Sequence, residues 1–334
     1  MRPEAAQAVP RFTVIMPVFN AAHFFTDVLD SIPADLDDDF EIVLIDDCST
    51  DGTAELIRRH PRFPKIALLR TAENSGPATA RNLGAERARG EYLLFFDADV
   101  VFLPDTFERA RAYVLAHPEV RCFTGINSKE SAAPGFVSRF HATWSNYLLD
   151  LIPEGGVATQ WNPRLGFIRK DFFRELGGFD ARYRKADVED YAFTRKIGRH
   201  VGFTRDLEIK HRFADLPGTM RNFYKRSQQW MDLLVATREL DKTGHTRTSM
   251  VPNVIVPVLL AAGLLLLPFY PTGRPLLLVL AFYVVYNLGM TLHFLRVAGL
   301  WRTPAYLFLH LCFHLAAAAG IAVWAVKRAA GVRA

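Results

Sequence analysis

From Thr246 to its C-terminus the chain contains no Asp or Glu, seven Arg or Lys, and three long apolar runs. The runs VIVPVLLAAGLLLLPFY, PLLLVLAFYVVYNLGMTL and YLFLHLCFHLAAAAGIAVWAV each approach the length at which a helix crosses about 30 Å of hydrocarbon. They predict about three membrane helices, over 251–270, 275–295 and 304–326. Setting the seven cations aside leaves 33 basic against 35 acidic residues upstream, so the formal net charge of +5 belongs to the apolar end. That distribution offers no basic surface for nucleic acid and suits cations at an anionic lipid surface. The N-terminus, MRPEAAQAVPRFTV, has no charged segment followed by an apolar run, so the residues up to 245 are expected in the cytoplasm. Cys48, Cys122 and Cys312 show no paired spacing, as suits a reducing compartment.

Upstream, short apolar runs alternate with helical patterns. TVIMPVF, EIVLI, KIALL and YLLFF read as buried strands, and 22–31, 53–60 and 77–88 as the helices between them. Further along, helices are expected over 104–117, 171–177, 188–198 and 219–239, with strands over 120–123 and 203–213. The alternation predicts an α/β domain with a mainly parallel sheet, whose ligands lie at the carboxyl ends of the strands. Three parts follow: a catalytic domain over 1–218, an amphipathic helix and linker over 219–245, and a membrane region over 246–334. The 219–239 helix carries aromatic residues beside Arg221, Lys225 and Arg226. Such a helix lies on a bilayer surface or packs on the sheet.

The strand ends are where chemistry concentrates. Pro17-Val18-Phe19-Asn20 follows the first strand, and Asp46-Asp47 opens the segment after the second. Acids there accept hydrogen bonds from a base or a ribose, or else build a turn into the next helix. Asn74-Ser75-Gly76-Pro77 opens a helix carrying Arg81, which presents free N–H groups to an anion. Asp97-Ala98-Asp99 follows YLLFF. On an extended backbone both carboxylates point one way, and a hard divalent cation bridging diphosphate oxygens relieves their repulsion. Glu189-Asp190 stands at a helix start, where acids also suit the dipole, and Asp190 is a candidate general base. Arg182, Arg184 and Lys185 form a basic loop able to close on a diphosphate. His211 ends a strand and is either structural or a metal ligand.

In this order, VIMPVFN, IVLIDDCSTDGT, NSGPATARN, LLFFDAD, GGFD and VEDYAFTR resemble the inverting family 2 glycosyltransferases of the GT-A fold. The resemblance covers roughly residues 13 to 230. It implies a Rossmann-like mixed sheet that binds a UDP-, GDP- or dTDP-sugar. By the same resemblance, Pro17, Phe19, Asn20 and Asp47 line the nucleoside pocket, and Arg81 lies beside the base or diphosphate. Asp97 faces ribose and metal, Asp99 binds Mn²⁺ or Mg²⁺ with His211 nearby, and Asp190 is the base. Glu189, with Arg182, Arg184 and Lys185, is a candidate for the acceptor side or a lid. The QxxRW motif of processive members is absent, since the nearest segment is Arg226-Ser227-Gln228-Gln229-Trp230. All the apolar runs also follow the catalytic part. Both departures argue against a polymer synthase that secretes its product.

The expected activity is therefore transfer to a hydroxyl of a lipid-linked or glycan acceptor at the cytoplasmic face of the cell membrane. A polyprenyl-phosphate acceptor and a non-catalytic nucleotide-binding membrane protein are the alternatives. A sugar-phosphate nucleotidyltransferase lacks support, because VIMPVFN stands where its glycine-rich loop belongs. Three spans put the C-terminus outside, whereas Lys327, Arg328 and Arg333 favour inside. A re-entrant or interfacial segment reconciles the two.

Overall fold

This computed structural model describes residues 10–158, 160–183, 188–198, 201–237, 255–265, 268–269 and 273–331. Arg184 and Lys185 of the expected basic loop, and much of the expected 251–270 helix, lie outside them. The described residues form two compact units. One holds those up to Ser128 and Leu149–Arg212; the other holds Lys129–Leu148 and those from Phe213 onward.

The first unit is built on one mixed eight-stranded sheet. In chain order its elements are β1 (Phe12–Val18), α1 (Phe25–Asp30), β2 (Phe40–Asp46), α2 (Thr53–Arg59), β3 (Ile66–Arg70), α3 (Pro77–Arg87), β4 (Tyr92–Phe96), β5 (Val100–Phe102), α4 (Thr106–Ala116) and β6 (Cys122–Asn127). After α5 (Phe136–Asp150), most of which belongs to the second unit, come β7 (Leu165–Arg169), α6 (Lys170–Glu175), α7 (Glu189–Ile197) and β8 (Gly202–His211). The strand order is β3-β2-β1-β4-β7-β6-β8-β5.

The near-continuous apolar runs of the early strands have a simple cause, in that both faces of the sheet are covered. Val14, Met16 and Val18 pack on one face with Leu94 and Phe96, whereas Ile15 packs on the other with Val43, Ile45, Leu93 and Phe95. β1 to β4 pair in parallel, as expected from the alternation of strands and helices. Beyond them the expectation of a mainly parallel sheet gives way. β7 runs antiparallel to both β4 and β6, and β5 runs antiparallel to β8. β5 has three residues and begins directly after Asp99, with no crossover helix to return it in parallel.

In the second unit, α8 (Leu216–Thr237) lies against the long helix Thr303–Ala329. Trp324 Nε1 donates to Asp232 Oδ1 at 2.7 Å, and a Cβ added at Gly320 would run into the Tyr224 carbonyl. Phe223 of α8 packs on Trp144 and Phe313, so part of its aromatic face is spent within this unit. Among the described residues, Thr303–Ala329 is the one helix long and apolar enough to cross a membrane. Arg274–Tyr286 and Leu288–Ala298 pass the same test together, but they meet at a 75° bend around Asn287.

α3 sits so close to the sheet that a Cβ on Gly84 would lie 2.5 Å from Ile15 Cγ2 and 2.8 Å from Ile45 Cδ1. Gly84→Val is expected to destabilise the protein by about 1–3 kcal/mol through overpacking, read as a lower denaturation midpoint. An unchanged midpoint would show that α3 does not depend on this close approach.

Candidate active site

The carboxyl ends of β1 and β2 are fastened to each other before any ligand arrives. Asn20, at φ 48°, accepts from Thr50 N at 2.9 Å through Oδ1, and its own N–H donates to Ser49 Oγ at 3.0 Å. Asp51 accepts from Ala22 N and from the Thr53 hydroxyl. Pro17 is half-buried beside this loop, and Phe19 stands 46% exposed, a bare aromatic face at a strand end.

Asp47 is buried and faces inward. Its Oδ1 accepts from Ser75 N at 2.9 Å and from the Thr71 hydroxyl at 2.8 Å, and its Oδ2 accepts from Gly76 N at 2.8 Å. The N–H groups that the sequence offered to an anion are thus partly taken by a protein carboxylate. Asp47 holds the loop that opens α3.

One turn into α3, Arg81 and Asn82 collect the distant motifs. Asn82 exchanges hydrogen bonds with the Phe179 backbone, donating through Nδ2 at 2.9 Å and accepting through Oδ1 at 3.0 Å. Arg81 lies under the Phe179 ring, 5.4 Å from its centroid. Its guanidinium donates to Asp97 Oδ1 at 2.6 Å and to Glu189 Oε1 at 3.1 Å. With its side chain 4% exposed, Arg81 is a buried strut between the Asp97 turn and the start of α7. Glu189, expected on the acceptor or lid side, is buried, with its carboxylate turned to Arg81.

Residues 98 and 99 form a turn, so the extended geometry assumed for the two acids does not hold. Asp97 turns to Arg81 and, at 4.0 Å, to Arg164 Nε, whereas Asp99 meets His211 Nε2 at 3.0 Å. Sheet register accounts for the second meeting. β5 pairs with β8 so that Val100 lies opposite His211, and Arg212 N donates to the Asp99 carbonyl at 2.8 Å. Burial alone would raise the Asp99 carboxyl, but His211 and Arg164 pull it below the usual carboxylate range. Burial and Arg164 push the imidazole below its ordinary value against the pull of Asp99.

This donor set suits a divalent cation that takes oxygen and imidazole ligands. Asp99 Oδ1 is buried and forms no hydrogen bond of good geometry despite its closeness to His211. Among the described residues no group of three or more His, Cys, Asp and Glu converges on one point. A cation here would take Asp99 and His211 from the protein and the rest of its shell from substrate phosphates and water.

Asp190 begins α7 and is partly exposed. Its Oδ1 accepts from Tyr191 N at 2.8 Å, and its Oδ2 lies 3.3 Å from Gln160 Nε2. Next to Gln160, Trp161 is pinned from both backbone atoms by the Thr194 hydroxyl, which holds that segment against α7. Arg182 is spread into solvent and forks onto Asp180, so it is not gathered into this cluster. Gln160 and Arg164 escaped the sequence reading because neither stands after an early strand. The available signal was LGFI behind Asn162-Pro163, a short apolar run of strand type.

The family described as Glycosyl transferase family 2 matches residues 13–177. The putative teichuronic acid biosynthesis glycosyltransferase TuaG of Bacillus subtilis (strain 168) is 33% identical over 119 residues, covering 35% of this chain and 47% of that protein. The succinoglycan biosynthesis protein ExoO of Rhizobium meliloti (strain 1021) is 34% identical over 109 residues, covering 33% and 31%. Each matched stretch thus spans less than half of the relative. Among solved structures, the mannosyltransferase PcManGT of Pyrobaculum calidifontis, in complex with GDP-Man and Mn²⁺, superposes with a TM-score of 0.58 at 21% identity. That match covers 96% of this chain and 87% of the other. The likeness is one of fold: the mixed α/β sheet is like that of the GT-A glycosyltransferases.

Asp47→Ala would leave the half-buried Ser75 and buried Gly76 N–H groups without their acceptor. A loss of about 2–4 kcal/mol in unfolding free energy is expected by denaturant titration. A change within about 0.5 kcal/mol, the size of an ordinary surface substitution, would show that the loop does not rest on this carboxylate.

Proposed function

Because the chain carries a glycosyl transferase family 2 domain, we propose that it is a metal-dependent inverting enzyme. It moves a sugar from a nucleotide-sugar donor to a hydroxyl of a lipid-linked or glycan acceptor. The observation that carries this reading is the strut from Asp97 through Arg81 to Glu189, which sets Asp190 and the Asp97–Asp99 turn into one site at the carboxyl ends of the strands. The names of the relatives, and the GDP-Man and Mn²⁺ bound by the fold neighbour, support the same class of chemistry.

In this reading the exposed Phe19 ring, with Pro17 and Asn20, receives the nucleoside of a UDP-, GDP- or dTDP-sugar by stacking and edge contacts. Asp47 supports that pocket by holding the loop before α3. Asp99 and His211 hold Mn²⁺ or Mg²⁺, which when bound stabilises the departing nucleoside diphosphate. Asp190, oriented by Gln160, accepts the proton of the attacking acceptor hydroxyl. The anomeric carbon inverts in one in-line displacement. A base of this kind is needed by a hydroxyl, whereas a phosphate acceptor is already anionic at neutral pH.

The helix Thr303–Ala329 and the acid-free stretch around it support work at a membrane, with the catalytic domain on the cytoplasmic face and the acceptor carried in the lipid. The 75° bend at Asn287 suits a re-entrant or interfacial segment between crossing helices.

The test is nucleoside diphosphate release by detergent-purified protein from a panel of UDP-, GDP- and dTDP-sugars, with and without membrane lipid extract. Release that needs lipid and Mn²⁺ or Mg²⁺, and is lost in EDTA and in Asp99→Ala, is the expected result. Asp190→Asn is expected to lower kcat about 10²–10⁴-fold with little change in donor KM. A wild-type rate in Asp190→Asn would remove the base assignment. No release from any donor under any condition would remove the function.

A further inference from the structure

Two guanidiniums flank Asp97, and they differ in what they have left to give. Arg81 is 4% exposed and divides its donors between Asp97 and Glu189. Arg164 is 19% exposed, and its buried Nε makes no hydrogen bond, being 4.0 Å from Asp97 Oδ2. A buried donor without an acceptor is costly, the more so on a charged group. Asp97 balances the charge of Arg164 without satisfying that N–H.

Its position is built. β7 runs antiparallel to β4, with Leu165 paired to Phe96, so the next residue out on β7 falls opposite the next residue out on β4. Those residues are Arg164 and Asp97. The backbone approach is fixed by Asn162, whose Oδ1 accepts from Arg164 N at 3.0 Å and whose carbonyl accepts from Leu165 N at 3.1 Å. Arg164 also bears electrostatically on Asp99 and His211. A cation that is partly exposed is thus held beside the two groups suited to a divalent metal.

We infer that Arg164 binds the phosphate oxygens of the nucleotide donor, and that Arg81 does not contact them. The inference rests on the glycosyltransferase reading and adds to it the residue that recognises the anionic part of the substrate. A planar guanidinium matches two phosphate oxygens in parallel, which a lysine ammonium cannot reproduce. As the donor enters, its oxygens supply the acceptors that Asp97 leaves wanting. After sugar transfer the same fork holds the nucleoside diphosphate.

The test is binding of UDP and GDP, set against uridine and guanosine, to the full-length protein in detergent by calorimetry in EDTA. The wild type is compared with Arg164→Gln and Arg164→Lys. Asp97 keeps its 2.6 Å partner Arg81 in both variants, so both are expected to fold with nearly unchanged melting temperature. Arg164→Gln should weaken the diphosphate about ten- to a hundred-fold while leaving the nucleoside unchanged. Arg164→Lys should recover part of that loss. Equal diphosphate affinity in wild type and Arg164→Gln would overturn the inference and leave the function standing. So would an equal loss for nucleoside and diphosphate, since Arg164 would then be shaping the pocket. A wild type that binds none of the four compounds, either in EDTA or with Mn²⁺ restored, would overturn the function, and this inference with it.

Discussion

The site depends on a single buried guanidinium. Arg81 is fastened to Asp97, 16 positions away in sequence, and to Glu189, 108 positions away. A cation at this depth is stable only if it is paired and hydrogen-bonded, and two carboxylates aimed inward need the same. Each group therefore makes the others tolerable. The geometric result is that the turn after β4 and the N-terminus of α7 cannot drift apart without exposing a charge to an apolar surrounding. Asn82, the next residue on α3, adds the reciprocal bonds to Phe179 that bring in the glycine pair before it. Three separate stretches of chain are gathered by two neighbouring side chains on one helix.

Around that strut the sheet supplies register. Strand pairing places His211 by Asp99 and Arg164 by Asp97, and both pairings are antiparallel. The parallel half of the sheet delivers the loops expected to hold a nucleoside. The antiparallel pairs β4–β7 and β5–β8 deliver the groups suited to metal and phosphate. This division explains why a mixed sheet serves the site better than a fully parallel one. Antiparallel strands bring the amino-terminal flank of one strand to the carboxyl end of its neighbour.

Much of this was legible in the sequence and some was not, for physical reasons. The buried strands β1 to β4 announce themselves as unbroken apolar runs, and their polar ends mark the site directly. The orientation of the acids was harder to read. The alternation rule predicts Asp97 and Asp99 on one side, but the chain turns at residues 98 and 99 and the rule lapses. Arg81 was read as lying beside a base or diphosphate because the sequence shows a cation at a helix start; the two acids that close on it are distant in sequence and left no local signal. β7 and Arg164 were missed because an antiparallel partner is set by a distant pairing, with no local signal beyond a short apolar run. α5 was missed because its apolar stripe is interrupted by Ser138, Arg139, His141 and Asn146.

The claim that one guanidinium binds the two acidic motifs together is tested most directly by a double-mutant cycle on unfolding free energy. The cycle uses Arg81→Met, Glu189→Met and the double variant. The account predicts that the double variant is less destabilised than the two single variants combined, by about 1–3 kcal/mol, since Arg81→Met strands the buried Glu189 carboxylate that the second change removes. Additive effects within about 0.5 kcal/mol would contradict it, and would mean that the Asp97 turn and the start of α7 are held in place independently of Arg81.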